Sequence, residues 1–291
     1  MKRILIIGII ALFLSTPITS SINCQNFKNK NNGMRINFYE EFPNPDNLSK
    51  AELINFPSTI YIAGRSLNEF FVYRDMLYDI NPSIEAAYWP VLNDSYWISP
   101  FSQTYELQNL ILDLESYNES RRLKVHLDLE LPGKKYIKNN IQNLSFFKNK
   151  GLIEKIFLNA EEYNIEIYTG EYPSSSILDD FIWKILGISY SPLKFYHKKT
   201  IMFYSSFFVK KPFLKKMTGR YIVSQHNRYD DKLQVALGAI DMGRSGKGPL
   251  ISPEQLDKDL KFSYDIGINT ATIFRLGGLN ESYINVIEKY L

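Results

Sequence analysis

The stretch Lys124-Val-His-Leu-Asp-Leu-Glu-Leu-Pro132 alternates polar and apolar residues with a period of two. This period is typical of a β-strand, in which successive side chains point to opposite faces. One face is apolar and consists of Val125, Leu127, Leu129 and Leu131. The other face is polar and consists of Lys124, His126, Asp128 and Glu130. The apolar face is expected to pack against helices, so the polar row points to the other side of the sheet.

Runs similar in length and β-propensity occur along the rest of the chain and bring the number of strands to eight. The predicted strands are 35–40, 58–64, 84–89, 124–131, 165–170, 200–208, 233–240 and 270–276. Helix-prone segments separate them at 48–54, 67–80, 103–119, 137–163, 176–186, 212–229, 252–266 and 280–290. Strict alternation predicts a parallel sheet, and eight parallel strands close into a barrel. We therefore predict an α/β fold, a single (β/α)8 or TIM barrel over residues 35–291 that a signal peptide precedes.

The N-terminus has the pattern of a secretory signal peptide. Lys2 and Arg3 precede an apolar run over 4–14, which is too short to span a bilayer comfortably, and a small, polar segment follows it. We assign residues 1–23 to the signal peptide and residues 24–34, which have little apolar content, to a flexible tether. The protein is thus expected to be secreted or surface-anchored.

The only cysteine, Cys24, allows two interpretations. It follows the signal segment where a bacterial lipoprotein is cut and lipidated, which would attach the protein to a membrane. Alternatively, it is an unmodified, small apolar residue. The formal charge of +3 includes Lys2 and Arg3, so the mature chain is close to neutral and no nucleic-acid partner is expected. The sequence does not specify an oligomeric state.

The polar row of 124–132 is the first place to look for chemistry, because barrel enzymes carry their active sites at the carboxyl ends of the strands. Asp128 and Glu130 lie nearest that end and point inward, where each can shift the titration of the other so that one stays protonated. The alternative is an interior ladder of ion pairs, for example Lys124 with Glu85 or Glu166, since ion-pair networks also perturb pKa values.

The other strand ends supply further candidates for binding a substrate. Trp89 and Trp97 provide flat aromatic surfaces that suit sugar rings, and ordinary packing is the alternative for both. The remaining substrate-binding candidates are polar or charged: Glu40, His126, Glu171, Asp241 and Arg275. Glu41 also follows the first strand and is given no role.

The run His126-Leu-Asp-Leu-Glu130 resembles the end of the fourth-strand signature of chitinase-type (family 18-like) glycoside hydrolases, Asp-x-x-Asp-x-Asp-x-Glu. The run Met202-Phe-Tyr-Ser205 is similar to the Met-x-Tyr-Asp of the same family. The resemblance implies that Glu130 is the general acid, that Asp128 orients a substrate acetamido group and that Tyr204 hydrogen-bonds near it. The chain departs from the family at Leu123, His126 and Ser205, each of which replaces an Asp.

Together these features predict an exported glycoside hydrolase-like protein that acts on or binds N-acetylhexosamine-containing glycans without a cofactor. One alternative is a metal-dependent barrel hydrolase or isomerase, because several side chains are suitable Mg or Mn ligands. Those side chains are Glu40, His126, Asp128, Glu171, His226 and Asp241. No dense metal motif accompanies them, and no metal site is assigned. The other alternative, a noncatalytic glycan-binding surface protein, is favoured by the missing family Asp residues.

Overall fold

The computed structural model describes residues 33–132, 145–174, 177–208, 212–244, 246 and 249–291, and these form a closed barrel of eight parallel strands. The strands follow one another around the barrel in chain order, and β1 pairs with β8 from Arg35↔Thr270 to Tyr39↔Phe274 to close it. The strands are β1 (Arg35–Glu40), β2 (Thr59–Gly64), β3 (Glu85–Pro90), β4 (Leu123–Leu129), β5 (Ile165–Glu171), β6 (Lys198–Phe203), β7 (Leu233–Gly238) and β8 (Thr270–Phe274). The predicted (β/α)8 barrel is therefore confirmed.

Helices lie between successive strands and follow the last one. They are α1 (Pro45–Leu48), α2 (Leu67–Ile80), α3 (Thr104–Glu115), α4 (Ser145–Leu158), α5 (Ile177–Ile185), α6 (Pro192–Phe195), α7 (Pro212–Tyr229), α8 (Pro253–Asp265) and α9 (Glu281–Ile287). The start of α8 follows from its sequence, since the Ser252 side chain accepts a hydrogen bond from the backbone N–H of Gln255 and Pro253 occupies the first turn. Among the described helices, none has the length and apolar character needed to cross a membrane.

Some predicted boundaries are wrong near β6. The predicted strand 200–208 ends at Phe203, and Ser205–Phe208 form a 3₁₀ turn. The segment between the predicted helix 176–186 and the predicted strand 200–208 contains α6, and β6 begins within it at Lys198. The predicted signal peptide, most of the tether and Cys24 lie outside the described residues.

The two faces of β4 pack as the alternation predicts. Val125, Leu127 and Leu129 are fully buried in the main hydrophobic core, together with the apolar faces of the surrounding helices. His126 lies inside the barrel, where its ring contacts Tyr39 and Tyr61. A smaller cluster fills this interior: Tyr39, Tyr61, Ala63, Ala87, Trp89, Val91, Tyr96, Tyr168, Met202 and Ala236.

The two ends of β4 differ in how their charges are compensated. At the amino end, Lys124 Nζ lies 2.5 Å from Glu85 Oε2, and Arg121 contacts the second oxygen of Glu85 at 2.9 Å. The predicted ion-pair ladder is therefore present, between Lys124 and Glu85. At the carboxyl end, burial and the negative charges of Glu130 and Glu41 raise the pKa of Asp128, and no cation among the described residues offsets this rise. The ladder thus does not account for Asp128.

One guanidinium group joins three chain segments at the carboxyl end of the barrel. Arg275 Nη1 lies 2.9 Å from Glu40 Oε1, its Nη2 lies 2.7 Å from Asp241 Oδ2, and its Nε donates to the carbonyl of Met242 at 2.9 Å. The backbone N–H of Gly277 donates to the other oxygen of Glu40 at 2.8 Å. Arg275 therefore ties the end of β1 to the loop after β7.

Replacing Arg275 with Met should strongly destabilise the fold, because the fully buried Glu40 would lose its cationic partner. We expect a loss of about 3 kcal/mol in the free energy of unfolding, measured by urea denaturation. Lys261→Met is the matched control, since the Lys261–Asp265 pair is exposed and is worth less than about 1 kcal/mol. Equal effects of the two substitutions would contradict the role of Arg275.

Candidate functional site

A pocket of about 410 Å³ opens at the carboxyl ends of the strands. Its lining is largely aromatic and apolar, with three carboxylates at or directly after the ends of β1 and β4 and a fourth at the start of the loop after β7. The lining residues include Glu41, Trp89, Trp97, His126, Asp128, Glu130, Tyr172, Met202, Tyr204, Asp241, Gly243, Arg244 and Phe274. This is the end at which barrel enzymes bind and transform their substrates.

Asp128 and Glu130 lie together in this pocket. Asp128 is the last inward residue of β4 and is buried, and its Oδ1 has no hydrogen-bond partner among the described residues. Glu130 follows the strand, and its Oε2 accepts a hydrogen bond from the Tyr172 hydroxyl at 2.5 Å. The backbone N–H of Ile98 donates to the carbonyl of Asp128 at 3.0 Å, which ties the end of β4 to the loop after β3.

The environment of this pair favours the protonated carboxyl groups. Burial raises the pKa of Glu130 to about 7; the hydrogen bond from Tyr172 opposes this rise and the charge of Glu41 adds to it. Burial also raises the pKa of Asp128 well above its usual range, and the charges of Glu130 and Glu41 act in the same direction. Two interacting carboxyl groups of this kind share their protons as a unit. The pair can therefore supply a proton near neutral pH.

His126 lies beneath the pair as a neutral imidazole. Its ring centroid is 4.8 Å from that of Tyr39 and 5.1 Å from that of Tyr61, and burial lowers its pKa to about 3. Space for this ring depends on Gly170, because a Cβ there would lie 2.8 Å from His126 Nε2 and 3.4 Å from Asp128 Oδ1. At neutral pH His126 adds no positive charge to the pocket.

Aromatic residues form the walls of the pocket. Trp89 is buried, and its Nε1 has no hydrogen-bond partner among the described residues, which leaves a donor available to a ligand. Trp97 is half-buried and lies edge-on to Tyr96 at 5.3 Å. The Tyr204 ring lies 5.9 Å from that of Phe274. The pocket thus brings together the predicted residues Trp89, Trp97 and Tyr204 with the two carboxylates of β4.

Three predicted substrate-binding residues do not line this pocket. Glu40 and Arg275 pair with each other outside it. Glu171 is fully buried, lies 2.6 Å from Lys199 Nζ and accepts a hydrogen bond from Thr169 at 2.9 Å. Alternation explains the difference, because Glu171 shares the outward face of β5 with Ile165 and Ile167 and therefore points into the helix layer.

Asp241 lies at the edge of the pocket with its charge already compensated. One carboxylate oxygen pairs with Arg275, and the other accepts a hydrogen bond from the backbone N–H of Met242 at 2.7 Å. Asp241 therefore orders the loop after β7, and its oxygens are less available to a ligand than those of Asp128.

Glu41 is a pocket residue to which the sequence analysis gave no role. The Tyr96 hydroxyl donates to its Oε1 at 2.6 Å, and the backbone N–H of Arg244 donates to its Oε2 at 2.9 Å. The alternation of β1 predicts this inward orientation of Glu41, because Tyr39 faces the barrel interior and Glu41 is two residues further along. Glu40, between them, points away.

The residues of the run similar to Met-x-Tyr-Asp point to two different sides of the sheet. Met202 and Tyr204 line the pocket. Ser205 is buried, and its hydroxyl donates to Asp259 on α8. Position 205, where the Met-x-Tyr-Asp motif of the family has its Asp, therefore faces the helix layer in this chain.

The residues considered as metal ligands do not converge. No group of three His, Cys, Asp or Glu side chains suited to a metal ion occurs in the described ranges. Glu40 and Glu171 each pair with a cation, and His226 lies on α7, where its Nε2 is 3.2 Å from the position of a Cβ on Gly267. The geometry of these residues does not favour a metal centre.

Comparison with known proteins identifies relatives in fold. No family profile and no curated protein matches the sequence. A GH18 chitinase from Pseudoalteromonas aurantia is similar in structure, with a TM-score of 0.55, 8% identity and coverage of 88% of this chain and 100% of that chain. The PgaB (BpsB) glycoside hydrolase domain from Bordetella bronchiseptica has a TM-score of 0.50 and 12% identity, covering 87% of this chain and 94% of that chain.

A sugar-converting enzyme of another kind is also similar. The D-allulose 3-epimerase from Methylomonas sp., in complex with D-allulose, has a TM-score of 0.50 and 11% identity, and the match covers 89% of this chain and 98% of that chain. Identities this low show a common fold and nothing finer. The chain is a (β/α)8-barrel protein whose fold resembles that of the chitinase-type glycoside hydrolases.

Proposed function

We propose that the protein is an exported glycoside hydrolase that acts on N-acetylhexosamine-containing glycans, with Glu130 as the general acid. The observation that supports this function best is the position of the Asp128–Glu130 pair in an aromatic-lined pocket, where burial raises the pKa of both carboxyl groups and that of Glu130 to about 7. Glycoside hydrolysis requires such a proton donor beside a group that stabilises an oxocarbenium-like centre. Export rests on the signal-peptide pattern of residues 1–23.

In the proposed reaction, Glu130 donates its proton to the glycosidic oxygen as the bond between this oxygen and C1 of the sugar breaks. The carbonyl oxygen of the substrate's own acetamido group forms a bond to C1 and serves as the internal nucleophile. Glu130, now a carboxylate, then takes a proton from the water that attacks C1 and restores the acetamido group. The net change is addition of water across the glycosidic bond.

The unpartnered Oδ1 of Asp128 is suited to accept a hydrogen bond from the amide N–H of that acetamido group. Such a bond would favour the ionised form of Asp128, and the negative charge would in turn oppose ionisation of Glu130. Binding of an N-acetylated sugar would therefore assign the shared proton to Glu130, where the reaction needs it. Tyr204, whose ring also lines the pocket, is proposed to hydrogen-bond near the same acetamido group.

The walls of the pocket suit a sugar as well. Trp89 and Trp97 present flat apolar rings, and Trp89 Nε1 offers a hydrogen-bond donor. Sugar rings combine apolar faces with hydroxyl groups, so a wall of this composition complements both parts.

A second candidate function is noncatalytic glycan binding. The neutral His126 and the outward-facing Ser205 favour it, because both positions carry an Asp in the family that the motif resembles. This function keeps the aromatic walls and the hydrogen-bonding groups but needs no proton transfer. Glycan binding without turnover by the parent protein would support it over the hydrolase.

Glu130→Gln should abolish most of the turnover while glycan binding persists, because the amide keeps the size of the side chain but carries no acidic proton. We expect kcat to fall by roughly 10²–10⁴ with 4-methylumbelliferyl N-acetyl-glucosaminides or chitobiosides as substrates. Asp128→Asn should also slow turnover, and the two losses should not add. Binding is followed by calorimetry with N-acetyl-chitooligosaccharides.

Glu166→Gln serves as the control, since Glu166 lies at the amino end of β5 and contacts Lys198 at 3.5 Å, away from the pocket. It should retain the parent's activity. Parent-like turnover by both the Glu130 and the Asp128 variants would contradict the proposed function. The corresponding glucosides, which lack the acetamido group, should not be cleaved by any variant.

The pH profile should report the proton on Glu130. A general acid works in its protonated form, so kcat/KM should fall as the pH rises through about 7, the pKa of Glu130. The hydrogen bond from Tyr172 lowers this pKa, and Tyr172→Phe should therefore move the alkaline limb to higher pH. A limb that stays in place or moves to lower pH would exclude Glu130 as the titrating acid.

Chelation separates the proposed reaction from the metal-dependent alternative. Incubation with EDTA followed by dialysis should leave hydrolysis unchanged, because proton donation by Glu130 needs no metal. A Mg or Mn site built from Glu40, Glu171 and Asp241 would instead lose activity and regain it when the metal is added back. If activity is lost on chelation and recovered only when the metal is added back, the metal-dependent enzyme is favoured over the proposed hydrolase.

A further inference from the structure

Glu41 is held in the pocket from two sides. The Tyr96 hydroxyl, from the loop after β3, donates to Oε1 at 2.6 Å, and the backbone N–H of Arg244, from the loop after β7, donates to Oε2 at 2.9 Å. The Arg244 guanidinium lies 4.1 Å above the Tyr96 ring, so the two groups that hold Glu41 also contact each other. Gly243 permits this approach, since a Cβ there would lie 2.8 Å from Glu41 Oε2.

These contacts suit the ionised form of Glu41. A backbone N–H can only donate, and the Tyr96 hydroxyl donates as well, so each carboxylate oxygen acts as an acceptor. Burial raises the pKa of Glu41, and the hydrogen bonds from Tyr96 and Arg244 together with the positive charges of Arg275 and Arg244 oppose that rise and favour the carboxylate. Three segments distant in sequence thus hold one negative charge at the wall of the pocket.

The charged and titratable groups around Glu41 come from five parts of the barrel. They are Tyr96 after β3, Asp128 and Glu130 of β4, Tyr204 after β6, Asp241 and Arg244 after β7, and Arg275 after β8. Arg275 is shared with Glu40 and Asp241, which use two of its nitrogens. The charge of Glu41 acts on both Asp128 and Glu130, and no described cation offsets it there.

We propose that Glu41 is a positioning residue that holds a fixed negative charge beside the Asp128–Glu130 pair and thereby keeps one proton on the pair. A fixed charge in a poorly solvated pocket opposes further ionisation of neighbouring carboxyl groups more strongly than it would in water. The proposal assigns Glu41 no proton transfer: its role is to carry the charge that the hydrogen bonds from Tyr96 and Arg244 hold in place.

The consequence for catalysis rests on the proposed function of the same pocket. With Glu41 ionised, Glu130 stays protonated to higher pH and remains able to act as an acid. Without that charge, the pair loses its proton at lower pH, and less of the protein is in the active form near neutral pH.

The test measures the titration of the pair directly. Protein labelled with ¹³C at the side-chain carboxyl groups of Glu and Asp is titrated by NMR, and Glu130→Gln assigns the Glu130 signal. In Glu41→Gln the titration midpoint of Glu130 should move to lower pH by on the order of one unit. Glu41→Asp, which keeps the charge, should restore a midpoint close to that of the parent. An unchanged midpoint in a folded Glu41→Gln protein overturns the proposal.

Tyr96→Phe provides a second variant that keeps the ring and its contact with Arg244. Removal of the hydroxyl takes one donor from Glu41, so Glu41 holds its proton to higher pH and the Glu130 midpoint should move down by a smaller amount. If Glu41→Gln does not fold, as judged by near-UV circular dichroism, an unchanged midpoint in Tyr96→Phe overturns the proposal instead.

The NMR titration requires no substrate, so it separates this inference from the proposed function. A downward shift in a protein that cleaves no glycan leaves the role of Glu41 intact and contradicts the hydrolase. If the midpoint is unchanged but the protein cleaves N-acetylated glycosides through Glu130, the hydrolase function stands and the role of Glu41 is contradicted. If the proposed function and the role of Glu41 are both correct, the alkaline limb of the kcat/KM profile moves to lower pH in Glu41→Gln, together with the NMR midpoint of Glu130.

Discussion

In a closed barrel of eight strands, only every second residue of each strand can point inward, and the interior has room for few side chains. Most of this interior is filled by Tyr39, Tyr61, Trp89 and Tyr168 around His126. Carboxyl groups placed on top of such an aromatic layer lose much of their hydration. The perturbed protonation of Asp128 and Glu130, and everything proposed for the pocket, depends on this layer beneath them.

The distribution of cations strengthens the effect. Arg275 compensates Glu40 and Asp241, Lys199 compensates Glu171, and Lys124 compensates Glu85. Each of these pairs satisfies a carboxylate that would otherwise destabilise the fold. Within the pocket, Asp128 and Glu130 have no described cation that offsets their charge. The same arrangement of ion pairs therefore stabilises the fold and leaves the pocket carboxyl groups without a cation that would lower their pKa values.

The sequence was sufficient to predict the barrel and the inward row of β4, because seven residues of uninterrupted alternation leave no doubt about which side chains share a face. It was insufficient where a strand ends. Glu40 and Glu171 both occupy the last position of a strand, and one residue decides whether such a side chain faces the pocket or the helices. Glu41 illustrates the same difficulty, since it lies one residue beyond Glu40 and points into the pocket. The pairing of Arg275 with Glu40 joins residues at opposite ends of the chain, and no local pattern indicates it.

Gly170 pairs with Asp128 in the register of β4 and β5, and the space that its missing side chain leaves is taken by the His126 ring. A side chain at 170 would therefore require the His126 ring to move. The two positions form one packing unit across neighbouring strands, and the size of one limits the size of the other. In a related barrel with a short residue at position 126, the same place on β5 would be free to carry a side chain, which could reach the pocket floor. The histidine that departs from the family motif thus determines how much of the barrel floor β5 can contribute.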